Sequence, residues 1–187
     1  LKEALARANE PRSGDEQEGL APRSMREMAA AKRVVSELTL KDLRESPSVA
    51  YELDEVTRVV EDDLDERAYK RVCGWSVAEL REWILDDATS GDDVRSVTPG
   101  LTPEMAAACA KLMSNMDLVV GGKKIRVFVK CNNTLGLAGR SSSRLQPNHP
   151  LDDPNGGRAA GKDGGAVGNG DAVIGVNPST DDVEKCA

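Results

Sequence analysis

DAVIGVNP, residues 171–178, carries a continuous apolar run rich in β-branched side chains. A run of this kind is typical of a strand that is buried on both faces of a parallel sheet. A second short segment, SRLQP at residues 143–147, is also extended and ends at a proline. Helical segments come first along the chain and the two strands follow. The sequence therefore predicts an α/β fold in which these two strands are neighbours.

The two predicted strands end alike. RLQPN at residues 144–148 and GVNP at residues 175–178 each close with a side-chain amide and a proline. The polar groups at these ends are Arg144, Gln146, Asn148 and Asn177. In α/β barrels the functional groups come from the C-terminal ends of parallel strands. The pattern therefore favours a polar binding site at these ends, and a polar surface loop is the alternative.

Residues 1–115 are predicted to form a region of short, charged helices. Several helical segments begin with a hydroxyl side chain at the N-cap position, and one adds the Glu that completes a capping box. These predicted caps are Ser24, Thr39, Ser76 (with Glu79) and Thr102. Apolar residues recur at helical spacing between the caps. We therefore expect a helical bundle with solvated charged faces and no catalytic role.

The character of the sequence changes after residue 115. DLVVGG at residues 117–122 and KKIRVFVK at residues 123–130 predict two strands separated by a pair of glycines. We therefore divide the chain into a helical region at 1–115 and the start of an α/β region at 116–187.

Residues 154–170 contain seven glycines. Each glycine inside a helix costs about 1 kcal/mol relative to alanine, and Val167 is the only sizeable apolar side chain left to dock on a sheet. We therefore expect an irregular, poorly ordered segment, or at best a frayed helix. Asp152 and Asp153 come just before it, where carboxylates would interact favourably with the N-terminal end of a helix.

The composition narrows the classes of function. The chain has 187 residues, a net charge of −7 and only 3% aromatic residues. An acidic chain without a basic stripe argues against nucleic-acid binding. The four cysteines show no Cys-x-x-Cys spacing and there is one His, so we expect no metal site. No apolar run approaches the roughly 20 residues that span a bilayer, and no signal peptide is visible. We therefore expect a soluble cytoplasmic protein.

Long segments from nearly end to end of the chain carry a family resemblance. They are ALARANEPRSGD (4–15), AYELDEVTRVVEDDLDERAYKRVCGWSVAELREWILDDATSGDDV (50–94), MSNMDLVVGGKKIRV (113–127), NNTLGLAGRSSSRLQPNHPLDD (132–153) and GDAVIGVNPSTDDVE (170–184). Together they resemble the large subunit of ethanolamine ammonia-lyase. Because the chain begins at Leu1 without a Met and stops soon after these motifs, we expect a fragment of such a protein.

The resemblance implies a helical N-terminal region followed by an (α/β)8 TIM barrel, truncated here after its first two strands. It implies adenosylcobalamin as the cofactor and a radical reaction that converts ethanolamine to acetaldehyde and ammonia. The implied partner is the small subunit of the enzyme, in a hetero-oligomer that involves neither nucleic acid nor a membrane. A bacterial microcompartment is one cytoplasmic location that the resemblance allows. Because most of the barrel would be missing, we do not expect the isolated fragment to be active.

The resemblance also assigns roles at the two strand ends. Arg144, Gln146 and Asn177 are expected to bind substrate, and Pro178 to contact cobalamin. Arg144 is also expected to be catalytic, because its permanent charge can stabilise negative charge developing on the substrate oxygen. Gln146 and Asn177 each offer a donor and an acceptor to a hydroxyl or amino group. Leu145 lies between two of these residues and is expected to point the other way, into packing.

Other functions remain open on the sequence. One is a non-catalytic helical interaction module with a disordered Gly-rich tail, which the charged first half and the low aromatic content favour. Another is a different barrel lyase that binds phosphate at a glycine-rich loop, although the chain lacks the G-x-x-x-x-G-K-[ST] pattern. His149 is the only His and therefore a candidate general base. Because it follows the RLQPN motif rather than belonging to it, we do not expect it to be catalytic.

Overall fold

The computed structural model describes residues 1–125, 127–130, 134–149, 153–169 and 173–176. The chain divides into two compact units, Leu1–Arg126 and Val127–Ala187. Secondary structure is mixed, mostly helical with a few short strands. The named strands all belong to the second unit. We call the first the helical unit and the second the βα unit.

The helical unit is a series of short helices joined by tight connections. Its α-helices are α1 (Lys2–Arg7), α2 (Ser13–Gln17), α3 (Met25–Glu37), α4 (Leu40–Glu45), α5 (Glu55–Asp62), α6 (Glu66–Val72), α7 (Val77–Leu85), α8 (Gly91–Val97), α9 (Pro103–Leu112) and α10 (Asn115–Lys124). Single 3-10 turns lie at Tyr51–Leu53 and Thr98–Gly100. Isolated helices of this length are not stable in water, so packing must hold them.

The predicted N-caps are confirmed. At the start of α7, the backbone N–H of Glu79 donates to Oγ of Ser76 at 3.1 Å. The Glu79 carboxylate accepts from the backbone N–H of Ser76 at 2.7 Å, which completes the capping box. The other predicted caps also accept from a backbone N–H three residues on: Ser24, Thr39 and Thr102. These bonds satisfy N–H groups that have no partner inside the helix, so local sequence defines where the helices begin.

The core of the helical unit consists of aliphatic side chains from α3, α4, α6, α7 and α9. The largest fully buried ones are Val35, Leu40, Leu43, Val72, Val77, Leu80 and Met105. Trp75 and Trp83 are partly buried against this core, with ring centroids 5.3 Å apart in an edge-to-face arrangement. Burying one such side chain contributes roughly 1.5–3 kcal/mol. Their combined burial is what holds the short helices together.

Helix α10 lies where the sequence predicted a strand, so that prediction is wrong. Ser114 and Asp117 form a capping box, with Asp117 N–H donating to Ser114 Oγ at 3.2 Å. The Asp117 carboxylate also accepts from Nη2 of Arg81 on α7 at 2.6 Å. Gly121 is buried against α7, where an added Cβ would lie 3.3 Å from Cγ2 of Ile84. A short apolar run has no period that separates strand from helix. The cap and the contacts with α7 therefore decide the structure of this segment.

The βα unit contains two small sheets and one helix. Its elements are β1 (Val129–Lys130), β2 (Thr134–Leu135), β3 (Arg144–Leu145), α11 (Pro154–Ala166) and β4 (Val173–Ile174). Strands β1 and β2 pair antiparallel, and β3 and β4 pair parallel. The strand predicted over residues 123–130 is therefore confirmed only at its C-terminal end.

The parallel pairing of β3 with β4 confirms the predicted order of strand, connection and strand. The predicted burial of β4 on both faces is wrong, because Val173 and Ile174 remain 38% and 62% exposed. In the described part of the chain, β3 is the strand that pairs with β4. Side chains of β4 therefore keep contact with solvent, although their composition suits a covered sheet.

The Gly-rich segment forms a regular helix, α11, so the irregular structure predicted for residues 154–170 is wrong. The carboxylate of Asp153 caps the helix by accepting from the backbone N–H of Asn155 at 3.3 Å and of Gly156 at 2.9 Å. Pro154 takes the first helical position, where its missing N–H costs nothing. Val167, the one sizeable apolar side chain of this segment that was left to dock on a sheet, is 75% exposed at the C-terminal end of α11.

One face of α11 explains why so many glycines are compatible with a helix. Gly157, Gly161 and Gly164 recur at i, i+4 and i+7, which lie on one face. An added Cβ at Gly164 would lie 2.5 Å from Cδ1 of Leu145, and one at Gly161 would lie 3.8 Å from Cγ of Pro147. The bare helix backbone therefore packs directly on β3 and on the proline that follows it. This close packing of the backbone was not part of the sequence-based prediction, which counted the conformational cost of glycine and the lack of sizeable apolar side chains.

Candidate functional site

The candidate site lies at the C-terminal end of β3. Arg144 and Gln146 are exposed, and Leu145 between them is partly buried. Leu145 packs on α11 at Gly164, which confirms its predicted inward direction. Alternating residues of a strand point to opposite faces. The strand therefore buries its apolar side chain against the helix and leaves the two polar side chains available to a ligand.

The guanidinium of Arg144 lies directly against the backbone of Gly175. A Cβ added at Gly175 would lie 2.5 Å from Nη2, 2.9 Å from Nε and 3.1 Å from Cζ of Arg144. Distances below 3.0 Å are ones that real Cβ atoms essentially never show. The side chain of Arg144 therefore occupies space that is open only because residue 175 is a glycine.

The backbone at Gly175 is held in place by the parallel ladder. Arg144 is opposite Val173 and Leu145 is opposite Ile174. The N–H of Gly175 donates to the carbonyl oxygen of Leu145 at 2.9 Å, one step beyond the paired residues. Gly175 and Arg144 are thus brought together by the strand register.

Gln146 directly follows β3, at a point where the chain changes direction. Its carbonyl oxygen accepts from the backbone N–H of Asn148 at 2.9 Å. Pro147 is buried and lies against Gly161 of α11. Because this turn packs on α11, the helix holds the backbone of Gln146 in place, while the amide of Gln146 stays exposed.

His149 lies at the junction of this turn and α11. Its Nδ1 accepts from the backbone N–H of Asp153 at 3.4 Å. Its ring is so close to Gly156 that an added Cβ there would overlap with Cδ2. These contacts place His149 at the start of the helix and assign it a part in the local packing.

Two of the predicted site residues, Asn177 and Pro178, lie outside the described residues. The last described residue before them is Val176, which is exposed and follows Gly175 at the end of β4. By chain order, Asn177 and Pro178 follow Gly175 and Val176, the two residues that come after the strand paired with β3. Their predicted roles stay predictions.

Among the described residues, no three His, Cys, Asp or Glu side chains are grouped so that they could hold a metal ion. Cys109 is buried in the core, and burial raises the pKa of its thiol to about 11, which keeps it protonated. Within the same residues, no helix is both long and apolar enough to cross a membrane.

Sequence reasoning missed Gly175 as a member of the site. The available signal was its position within the run VIGV, between β-branched residues. A glycine inside a strand often marks a close approach by another group. Which group approaches depends on the register of β3 and β4, and the sequence does not specify that register.

Comparison with known proteins places these observations in a family. The model of the ethanolamine ammonia lyase large subunit (EutB) family matches residues 1–187. The ethanolamine ammonia-lyase large subunit of Salmonella typhimurium is 53% identical over 185 residues, which cover 99% of this chain and 41% of that protein. The ethanolamine ammonia-lyase large subunit of Escherichia coli K12 is 52% identical with the same coverage. The chain thus spans about two fifths of the length of these curated relatives, at 41%.

Proposed function

Because the chain belongs to the family of ethanolamine ammonia-lyase large subunits, we propose that it forms part of an enzyme that converts ethanolamine to acetaldehyde and ammonia. The cofactor in this proposal is adenosylcobalamin. The observation that carries the proposal is the exposure of Arg144 and Gln146 at the end of β3, beside the parallel strand β4. Parallel α/β folds bind their ligands at this edge of the sheet.

In this proposal, β3, α11 and β4 form the first strand–helix–strand unit of an (α/β)8 barrel. Two observations support it: the parallel pairing of β3 with β4, and the packing of α11 on β3. The exposed apolar side chains of β4, Val173 and Ile174, suit a strand that further barrel elements would cover. The helical unit would precede the barrel in the chain.

The proposed roles follow from the chemistry of each side chain. Arg144 holds a permanent positive charge next to the substrate oxygen and stabilises negative charge as it develops there. Gln146 offers an N–H2 donor and a carbonyl acceptor, so it can bind the hydroxyl or the amino group of ethanolamine. Asn177 offers the same pair of groups from the end of β4. Three side chains would then fix the orientation of a small polar substrate.

The residues proposed for the site fit a cofactor that supplies the reactive species. Arg144 and the two amides, Gln146 and Asn177, bind and orient without having to gain or lose a proton. Such a donor set suits a reaction whose radical chemistry comes from the cofactor, while the protein supplies orientation and electrostatics. Adenosylcobalamin, when bound, would supply that radical chemistry, and Pro178 would contact it from the end of β4.

The term large subunit in the names of the relatives implies a second, small subunit. We therefore include a small subunit in the proposal, as the partner in a hetero-oligomer, and a cytoplasmic or microcompartment location. The competing function, an interaction module with a disordered Gly-rich tail, fits less well because the Gly-rich segment forms the capped helix α11.

The proposal is tested with a full-length large subunit that carries this sequence, purified together with its small subunit. Ethanolamine and adenosylcobalamin are added, and acetaldehyde is followed by coupled reduction to ethanol. We expect acetaldehyde to form only when both are present. Absence of product from a folded, assembled complex would contradict the proposal.

A further inference from the structure

We propose that Gly175 is a positioning residue for Arg144. Because glycine has no side chain, the guanidinium of Arg144 can lie against the backbone at the end of β4 and is held in one orientation. This inference rests on the proposed function, because it concerns how the substrate-binding Arg144 is aimed. The inference adds Gly175 to the site as a residue that acts through Arg144, because it has no side chain with which to contact the substrate.

The geometry leaves no room for any other residue type with Arg144 where it is. Three atoms of the Arg144 side chain, Nη2, Nε and Cζ, lie within 3.1 Å of the position that a Cβ at Gly175 would take. The strand cannot easily withdraw, because the N–H of Gly175 is bonded to the carbonyl of Leu145 at 2.9 Å. An added methyl group must therefore move the guanidinium rather than the backbone.

Gly164, in the same unit, differs from Gly175 because its missing side chain makes room for packing inside the unit. At Gly164, an added Cβ would overlap with Cδ1, Cδ2 and Cγ of Leu145, which is partly buried beneath α11. At Gly175 the overlap is with the far end of a flexible and exposed side chain. Gly175 is also not among the described glycines with positive φ. Alanine at position 175 should therefore leave the fold intact and change only the position of the guanidinium.

A change of this size matters for a group that must be aligned with a reacting substrate. Displacing such a group by about 1 Å can cost on the order of 100-fold in rate. If Arg144 stabilises charge that develops during the reaction, the loss should appear mainly in kcat rather than in KM. We therefore expect Gly175→Ala to lower kcat by about 10- to 100-fold, with a smaller change in KM.

The test is a double-mutant cycle in the full-length large subunit assembled with its small subunit. Gly175→Ala is made in the parent protein and in the Arg144→Lys background, and Gly165→Ala is the matched control because nothing lies within 4 Å of its added Cβ. A lysine is a flexible point charge without the planar fork of arginine. We expect the 10- to 100-fold loss in the parent and roughly a threefold loss or less in the Arg144→Lys background, since a residue that acts through Arg144 loses its effect there.

Three results would overturn the inference. They are an unchanged kcat in Gly175→Ala, an equal loss in both backgrounds, and a loss of folding measured by circular dichroism and thermal melting. A crystal structure of Gly175→Ala gives an independent readout, in which the guanidinium of Arg144 should have moved away from residue 175. An unmoved guanidinium contradicts the inference even if ethanolamine is turned over. A displaced one supports it even if the parent protein makes no acetaldehyde, so the two proposals fail separately.

Discussion

Leu145 and Gly164 are in direct contact: the side chain of Leu145 reaches the backbone of α11, and an added Cβ at Gly164 would lie 2.5 Å from its Cδ1. Two residues away on the same segment, Pro147 lies against Gly161. The strand that carries Arg144, and the residues after it that include Gln146, are therefore supported by a helix with a glycine face. The support depends on which glycines face the strand, and adjacent positions allow this to be tested.

Gly164→Ala should destabilise α11, whereas Gly165→Ala should stabilise it. Alanine at position 164 must push aside Leu145, and overpacking of this kind typically costs about 1–3 kcal/mol. The space around Gly165 is open, so alanine there gains roughly 0.5–1 kcal/mol of helix propensity. Hydrogen exchange of the α11 amides should be faster in the first variant and slower in the second. Equal effects of both substitutions would contradict the packing described for this helix.

The contact between Arg81 and Asp117 should make the stability of the helical unit depend on pH in the acidic range. Hydrogen bonds from Arg81, and then from the backbone of Ser114, hold the pKa of Asp117 below its ordinary value of 3.8. Because the pKa of Asp117 is lower in the folded state, its carboxylate stabilises the fold fully at pH values above the ordinary pKa. This stabilisation is lost as the pH falls through the lowered pKa of the folded state.

Asp117→Asn should therefore lower the urea midpoint of the chain at neutral pH. The difference from the parent should shrink as the pH is lowered from about 6 to about 2. Asp87→Asn, an exposed substitution with the same change in charge, is the control. A difference that stays constant over this pH range would show that the Asp117 carboxylate contributes nothing as a charged group.

The 187-residue chain alone should give no acetaldehyde when ethanolamine and adenosylcobalamin are added. It spans 41% of the length of its curated relatives, and its described parallel sheet has two strands. A substrate site at the edge of such a sheet would lack the groups that the other strands of a barrel supply. Turnover by the isolated chain would mean that these groups are dispensable, and it would contradict the proposed site.

The helix starts could be predicted from the sequence because an N-cap is a local interaction. Ser76 and Glu79 are three residues apart, and their mutual hydrogen bonds need no information from the rest of the chain. The parallel relationship of β3 and β4 was also predictable, since composition and order along the chain both indicate it. The position of Leu145 followed from strand alternation.

The sequence-based predictions that were wrong concern segments whose structure depends on contacts with residues distant in sequence. Asp117 bonds to Arg81, 36 residues earlier, and this contact helps to make α10 a helix. Gly161 and Gly164 of α11 suit their positions because Pro147 and Leu145 lie against them. The contact between Arg144 and Gly175 likewise depends on the register of two strands. Residue types and their spacing do not specify such long-range contacts, so these contacts could not be predicted from the sequence.

Asn177→Ala in the full-length enzyme should reduce catalytic efficiency without loss of fold. The substitution removes a donor and an acceptor from the proposed site and leaves a substrate group unpaired. Such a loss costs about 1–3 kcal/mol, or roughly a 5- to 150-fold decrease in kcat/KM if the bond persists in the transition state. Steady-state kinetics with circular dichroism as a folding check would measure it. Unchanged efficiency would remove Asn177 from the proposed substrate site.

The most direct test of the central claim, that the end of β3 belongs to the ethanolamine site, is the kcat/KM of Arg144→Ala in the full-length enzyme. Arg158→Ala is the matched control, because Arg158 is also an exposed arginine of the βα unit but lies on α11. Loss of a preorganised charged group at a reacting oxygen should lower kcat/KM by about 100-fold or more, while the control should retain nearly full efficiency. Equal efficiencies of the two variants, both folded and assembled, would contradict the account.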